Sequence, residues 1–189
     1  MRKIHLFALM LLATIGFVSN AEAKNRDKSW EFSAMVSHYD PDHNTGVKNS
    51  IGEQIRFGYN FTKKIEAEFS YSITSTEIDG HDDDFVRALG HITASFLTDR
   101  DSHTLPYISA GLGVIQETRA AFTDSTGTRV LESFDSSAIL TLAVGARTFF
   151  NDNWGVRYEV QYGHHDSFTL GQDEYVISAG ITWVVGGQK

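Results

Sequence analysis

The chain has 189 residues, 41% apolar and 12% aromatic, with 16 Gly, 2 Pro and no Cys. That is one domain with material for a core, too short for two ordinary domains and unlike a disordered segment. The lack of cysteine excludes disulfide frameworks, thiolate metal sites and thiol catalysis, and the formal net charge of −8 excludes the basic footprint of a general nucleic-acid binder.

The chain opens on an export signal. Arg2 and Lys3 precede an apolar run from Ile4 to Val18, and Ala21-Glu22-Ala23 supplies the small-x-small pattern of a cleavage site. The run is shorter than the roughly 20 residues of a membrane-spanning helix. Residues 1–23 are therefore read as a signal peptide and 24–189 as the mature domain.

Beyond residue 23 no apolar stretch is long enough for a transmembrane helix, so anything that crosses a bilayer must be a closed barrel. Period two dominates instead. Candidate strands fall at 29–39, 51–61, 65–74, 85–97, 104–115, 135–150, 154–163 and 174–185. In the third, Ile65, Ala67, Phe69, Tyr71 and Ile73 alternate with Glu66, Glu68, Ser70 and Ser72; in the seventh, Trp154, Val156, Tyr158, Val160 and Tyr162 alternate with Gly155, Arg157, Glu159, Gln161 and Gly163. Each strand approaches or exceeds the roughly 9–11 residues a tilted strand needs to cross a bilayer. The connections alternate in length: Thr62-Lys63-Lys64, 98–103 and Asn151-Asp152-Asn153 are short, while 40–50, 75–84, 116–134 and 164–173 are longer and polar. Even strand number and this asymmetry predict an all-β, eight-stranded antiparallel up-and-down transmembrane β-barrel, with both ends on the short-turn side.

A soluble lipocalin-like barrel alternates equally, with its apolar face inward. Two features favour the opposite register. Glycines Gly58, Gly111, Gly113, Gly145, Gly155, Gly163 and Gly180 share the polar face, where a narrow lumen needs room for long neighbours. Trp30, Tyr59, Phe61, Phe96, Trp154 and Trp183 gather on the apolar face near the short turns, as in an interfacial girdle. The polar face also carries Glu31, Glu66, Glu68 and Glu159 with Arg56, Arg87, Arg147 and Arg157, four of each sign. An arginine aimed at mid-bilayer costs about 2–4 kcal/mol, so four would cost roughly 8–16 kcal/mol, as much as a domain's whole stability. Turned inward, they neutralise the glutamates and fill the lumen with a charge network.

The stretches Gly58-Tyr59-Asn60-Phe61-Thr62-Lys63, Pro106-Tyr107-Ile108-Ser109-Ala110-Gly111-Leu112-Gly113, Gly155-Val156-Arg157-Tyr158-Glu159-Val160-Gln161-Tyr162 and Ser178-Ala179-Gly180-Ile181-Thr182-Trp183 resemble the OmpA-like outer-membrane barrel family. The resemblance spans the mature chain. It implies insertion into a Gram-negative outer membrane by periplasmic chaperones and the barrel-insertion machinery, and a polar lumen without a wide pore. Expected partners are outer-membrane lipid, lipopolysaccharide and surface ligands met by the loops, with no nucleic acid. Full OmpA proteins continue into a peptidoglycan-binding domain, whereas Gly186-Gly187-Gln188-Lys189 follows the last strand here. The barrel domain alone is expected.

Candidate chemistry is sparse. His164-His165-Asp166-Ser167 contains a His-x-Ser pair that resembles the lipid A deacylase barrels, in which histidine is base to a serine nucleophile. By parity, however, His165 and Ser167 turn inward with Gln161 and Gly163, and Phe168-Thr169 replaces that family's Asn-Ala. Asp79-Gly80-His81-Asp82-Asp83-Asp84 is acidic enough to attract Ca²⁺ but lacks the ordered spacing of an EF-hand, and reads as a solvated loop. His91 is expected inward, hydrogen-bonded. The sequence thus predicts a non-enzymatic surface barrel without cofactor or metal; a lipid A hydrolase and a small pore are the alternatives.

Overall fold

The computed structural model describes residues 27–41, 49–78, 81–95, 103–119, 122–123, 129–130, 133–167 and 170–188. Residues 1–23, expected to be an export signal, and Phe96 lie outside them. Eight long strands build one closed barrel: β1 (Asp27–Pro41), β2 (Ser50–Asn60), β3 (Ile65–Ile78), β4 (His81–Ser95), β5 (Thr104–Arg119), β6 (Ser133–Phe149), β7 (Trp154–Ser167) and β8 (Leu170–Gln188). Each pairs antiparallel with its sequence neighbours, and β1 closes on β8 from Asp27↔Gln188 to Pro41↔Glu174. A two-residue ribbon, Phe122–Thr123 against Arg129–Val130, extends the β5–β6 connection.

Period-two alternation sets the faces. Phe69 and Leu142 are 52% and 57% exposed on the outside, while Glu68 and Arg157 are 5% and 0% exposed inside. The short turns are closed by their own side chains. Thr62 Oγ1 accepts from the amides of Lys64 (3.1 Å) and Ile65 (3.0 Å), and Asn151 Oδ1 accepts from those of Asn153 (2.9 Å) and Trp154 (2.8 Å). Asn153 Nδ2 donates to the Val184 carbonyl at 2.7 Å, tying this turn to β8.

At the other end the structure corrects the expected loops. The β3–β4 ladder runs to Ile78↔His81 and the β7–β8 ladder to Ser167↔Leu170, leaving two residues between the paired positions. Residues 75–78 and 81–84 are strand, as are 164–167 and 170–173. Their polar composition suits strands that leave the apolar band for water, where composition no longer separates strand from loop. Along β8, Trp183 and Asp173 are ten residues apart; at ~3.3 Å per residue and ~40° tilt this spans about 25 Å, the height of an outer-membrane apolar band.

Glycine makes the lumen passable for large side chains. A Cβ on Gly58 would sit 2.0 Å from Glu66 Oε1, one on Gly111 2.4 Å from His91 Nδ1, and one on Gly145 2.6 Å from the Tyr107 ring. These positions hold no side chain because the neighbouring strand's side chain occupies the space.

Candidate functional site

From the short-turn end the lumen is layered. Leu105, Phe149 and Val184 form an apolar cap at its mouth, and Leu89, Ile115 and Ile139 form a second apolar layer in the outer half. Both face inward, contrary to the expectation of a uniformly polar interior. They stand beside the charges, Leu105 paired in register with Arg147 and Ile115 with Arg87, and fill space where an unpaired polar group would cost more than a buried methyl.

Between these layers lies the charge network. Arg147 donates from Nη1 to Glu66 (2.9 Å) and Glu31, and from Nη2 to Ser95 Oγ at 2.9 Å. Arg157 donates to both oxygens of Glu68, to Glu159 at 3.4 Å and, through Nε, to the Tyr107 hydroxyl at 2.8 Å. Its Nη1 also stands 3.6 Å from Glu31. Arg56 donates to Glu68 at 2.8 Å and holds Glu159 with both terminal nitrogens. Tyr107 in turn donates to Glu159 at 2.8 Å, and Thr182 to Glu31 at 2.8 Å. Three arginines and four glutamates thus meet across the barrel axis, all buried. Charge-assisted, partly bidentate bonds of this kind survive burial because each partner replaces the water the other has lost.

The eighth expected member stands apart. Arg87 donates to Glu174 at 3.0 Å in the outer half, with its guanidinium 4.4 Å above the Tyr39 ring, and His165 Nε2 lies 3.8 Å from the same carboxylate. Glu174, Tyr39, Tyr107, Ser95 and Thr182 are partners that the charge inventory omitted; inward parity was their only sequence signal. Oxygens of Glu31, Glu66 and Glu68 lie within 4.8 Å of one another, close enough to share a cation, but Arg56, Arg147, Arg157 and Thr182 already donate to these carboxylates, and only Glu66 Oε1 has no hydrogen-bond partner among the described residues. The trio is a partner of guanidinium rather than a metal centre. His91 is buried, within 2.9 Å of Ser70 Oγ.

On the outside, aromatic rings line the short-turn end. Trp30 packs at 4.9 Å on Phe57 and 4.7 Å on Tyr59, Tyr59 meets Phe61 at 5.0 Å, and Trp154 stacks on Trp183 at 5.8 Å. Phe96, expected among them, is outside the described residues. Tyr162 and Tyr175 form a second aromatic pair, 5.6 Å apart, on the outward face towards the far end.

His165 is buried in the lumen, 3% exposed, so it does not reach the outer wall as a deacylase base would. Of the acidic stretch 79–84, residues 79–80 lie outside the described residues and 81–84 are backbone of β4. The outward histidine is His164. It pairs in register with Asp173 and donates from Nδ1 to Asp173 Oδ1 at 2.8 Å, while Tyr162 donates its hydroxyl to the same oxygen at 2.7 Å. Asp173 stands just beyond the apolar band, and these two hydrogen bonds hold its carboxyl below the ordinary aspartate range. The sequence reading singled out His165 and Ser167 and missed this cluster, although His164 shares parity with the outward Tyr162.

Solved structures place the barrel in familiar company. Neisserial surface protein A superposes with a TM-score of 0.68 at 16% identity, over 83% of this chain and 99% of that one. The N-terminal β-barrel domain of Pseudomonas aeruginosa OprF gives 0.57 at 16% identity, over 85% and 99%. Ail, the attachment invasion locus protein of Yersinia pestis, gives 0.56 at 15%, over 85% and 99%. These likenesses concern the fold. Among curated proteins no sequence matches the chain. The pattern of the outer membrane protein beta-barrel domain matches residues 8–183, and the chain therefore belongs to that family, whose place is the outer membrane.

Proposed function

We propose that the protein is a closed, non-enzymatic barrel that stabilises the Gram-negative envelope and presents its outer hairpins to surface ligands. The observation that carries this reading is the lumen itself, where Arg56, Arg147 and Arg157 bind Glu31, Glu66, Glu68 and Glu159 across the axis. An eight-stranded barrel has an interior just wide enough for side chains, and here ion pairs bridge it. Residues 1–23 serve as the export signal, and periplasmic chaperones and the insertion machinery deliver the barrel. Ladders that continue past the apolar band, to Ile78↔His81 and Ser167↔Leu170, carry paired strands to the outer end, where contact residues can be displayed. The same architecture serves as a surface protein in Neisseria and as an attachment invasion locus protein in Yersinia pestis, the class of role proposed here.

In planar bilayers the purified barrel is expected to conduct no more than the empty membrane; a stable open channel would replace this reading with that of a small pore. Lipid A from cells expressing the protein is expected to keep all its acyl chains. Loss of one chain that returns with Ser167→Ala would show a hydrolase instead.

A further inference from the structure

The outward face of β2 carries one carboxylate where the pattern calls for an apolar residue. Glu53 is exposed, with Ile51 and Ile55 on either side along its own strand, Val36 opposite it on β1 and Ile73 opposite it on β3, all four exposed on the outer wall. Nor does it stand at the edge of the apolar band. Glu53 lies six residues beyond Tyr59 of the aromatic girdle, which at ~3.3 Å per residue and ~40° tilt is about 15 Å, so about 10 Å of the ~25 Å band lies further out. No hydrogen bond or ion pair joins Glu53 to another described residue, and the outward His38 pairs in register with Ile51 instead.

Ionisable groups that face hydrocarbon are rare and mark functional sites, because they need a partner there. Ionised or protonated, a carboxyl group offers hydrogen-bond acceptors, so the partner must bring a donor. A second copy does not supply one. The exposed Lys28, Lys63 and Lys64 stand at the short-turn end, and a two-fold contact through this face would set Glu53 against itself. A protein partner is anchored by aromatic or arginine side chains in pockets, whereas the immediate surroundings of Glu53 are aliphatic.

Lipid chemistry makes the remaining choice. Diacyl phospholipids carry ester carbonyls where their chains begin, which are acceptors only. Lipopolysaccharide carries amide N–H groups and chain hydroxyls just below its sugar head, and these donate. Glu53 lies in the half of the band nearer the long hairpins, the side that faces the cell exterior in outer-membrane barrels.

We propose that Glu53 is the acceptor of a lipid-facing site for lipopolysaccharide, taking a hydrogen bond from a hydroxyl or amide at chain depth while Ile51, Ile55, Val36 and Ile73 pack against the acyl chains. The site deepens the envelope role proposed above and rests on the barrel standing in the outer membrane, not on closure of its lumen.

The test uses the full barrel in nanodiscs containing equal lipid A and cardiolipin, with retained lipid read by native mass spectrometry. Both lipids carry phosphates and several chains, but only lipid A has donors at chain depth. Contacts of its head elsewhere on the barrel act alike on every variant, so the readout is the change in ratio. Glu53→Leu suits hydrocarbon, and heat-dependent gel migration checks that it folds. The ratio of lipid A to cardiolipin should fall about three- to tenfold in Glu53→Leu, the worth of one hydrogen bond to a carboxyl group. Glu53→Gln, which keeps a carbonyl acceptor, should fall only part of the way, and Ile55→Leu should leave the ratio unchanged. A change below about twofold in Glu53→Leu, or an equal fall in Ile55→Leu, would overturn the proposal. So would a photo-crosslinker at position 53 that captures an envelope protein in place of lipid. A conducting barrel whose ratio still falls in Glu53→Leu would refute the closed lumen and leave this site standing.

Discussion

On β7, Arg157 turns to the barrel axis and is wholly buried, while Val160, three residues on, faces outward with 45% exposure. The two environments are separated by one thickness of backbone and obey opposite rules. Inside, stability comes from matched charges whose geometry is set by several strands at once. Outside, any apolar residue serves, and only the aromatic ends ask for a particular shape. Lumen positions should therefore be intolerant of conservative change and wall positions intolerant only of charge.

The largest expected effect comes from splitting the network. Arg157→Leu leaves Glu68 and Glu159 short of a partner and should cost about 3–5 kcal/mol, measured by denaturant unfolding in lipid vesicles. A cost below ~1 kcal/mol would mean that the lumen is solvated like a surface, erasing the contrast. On the wall, Leu142→Arg should cost about 2–4 kcal/mol by the same measurement. Were it neutral, that face would be meeting water. Smaller still is Gly145→Ala, whose Cβ would lie 2.5 Å from the Tyr158 carbonyl oxygen and 2.6 Å from the Tyr107 ring; overpacking of this kind costs about 1–3 kcal/mol. Ala143→Gly on the same strand creates no such contact, so equal costs for the two would show that the space around Tyr107 is not limiting. Thr62→Ala removes a turn acceptor that serves neither face and should cost about 0.5–1.5 kcal/mol with the lumen intact.

Much of this division was legible in the alternation of single residues. Parity assigns Glu68 and Phe69 to opposite faces whatever the fold around them, and the cost of arginine in lipid decides which face is which. Which charges meet is another matter. Arg147 and Glu31 are 116 residues apart and Arg56 and Glu159 are 103 apart, and they find each other only through strand stagger and closure, which no local pattern encodes. Arg87 shows the consequence: its sign and parity match the other arginines, yet its level along the axis gives it to Glu174. The strand ends at 75–78 and 164–167 escaped because polar sequence is compatible with both loop and water-exposed strand. The Asp173 cluster escaped because it depends on the β7–β8 register rather than on any spacing within one segment.

Closure of β1 on β8 also bears on how the molecule comes to exist. Glu31 sits on the first strand, and its arginine partners Arg147 and Arg157 sit on the sixth and seventh. A partly built sheet would carry these ions with no counter-ion opposite, a penalty that hydrocarbon punishes most. Lipid entry and ring completion are thus energetically tied, so the nascent protein has little to gain from half measures and must arrive in the bilayer nearly all at once.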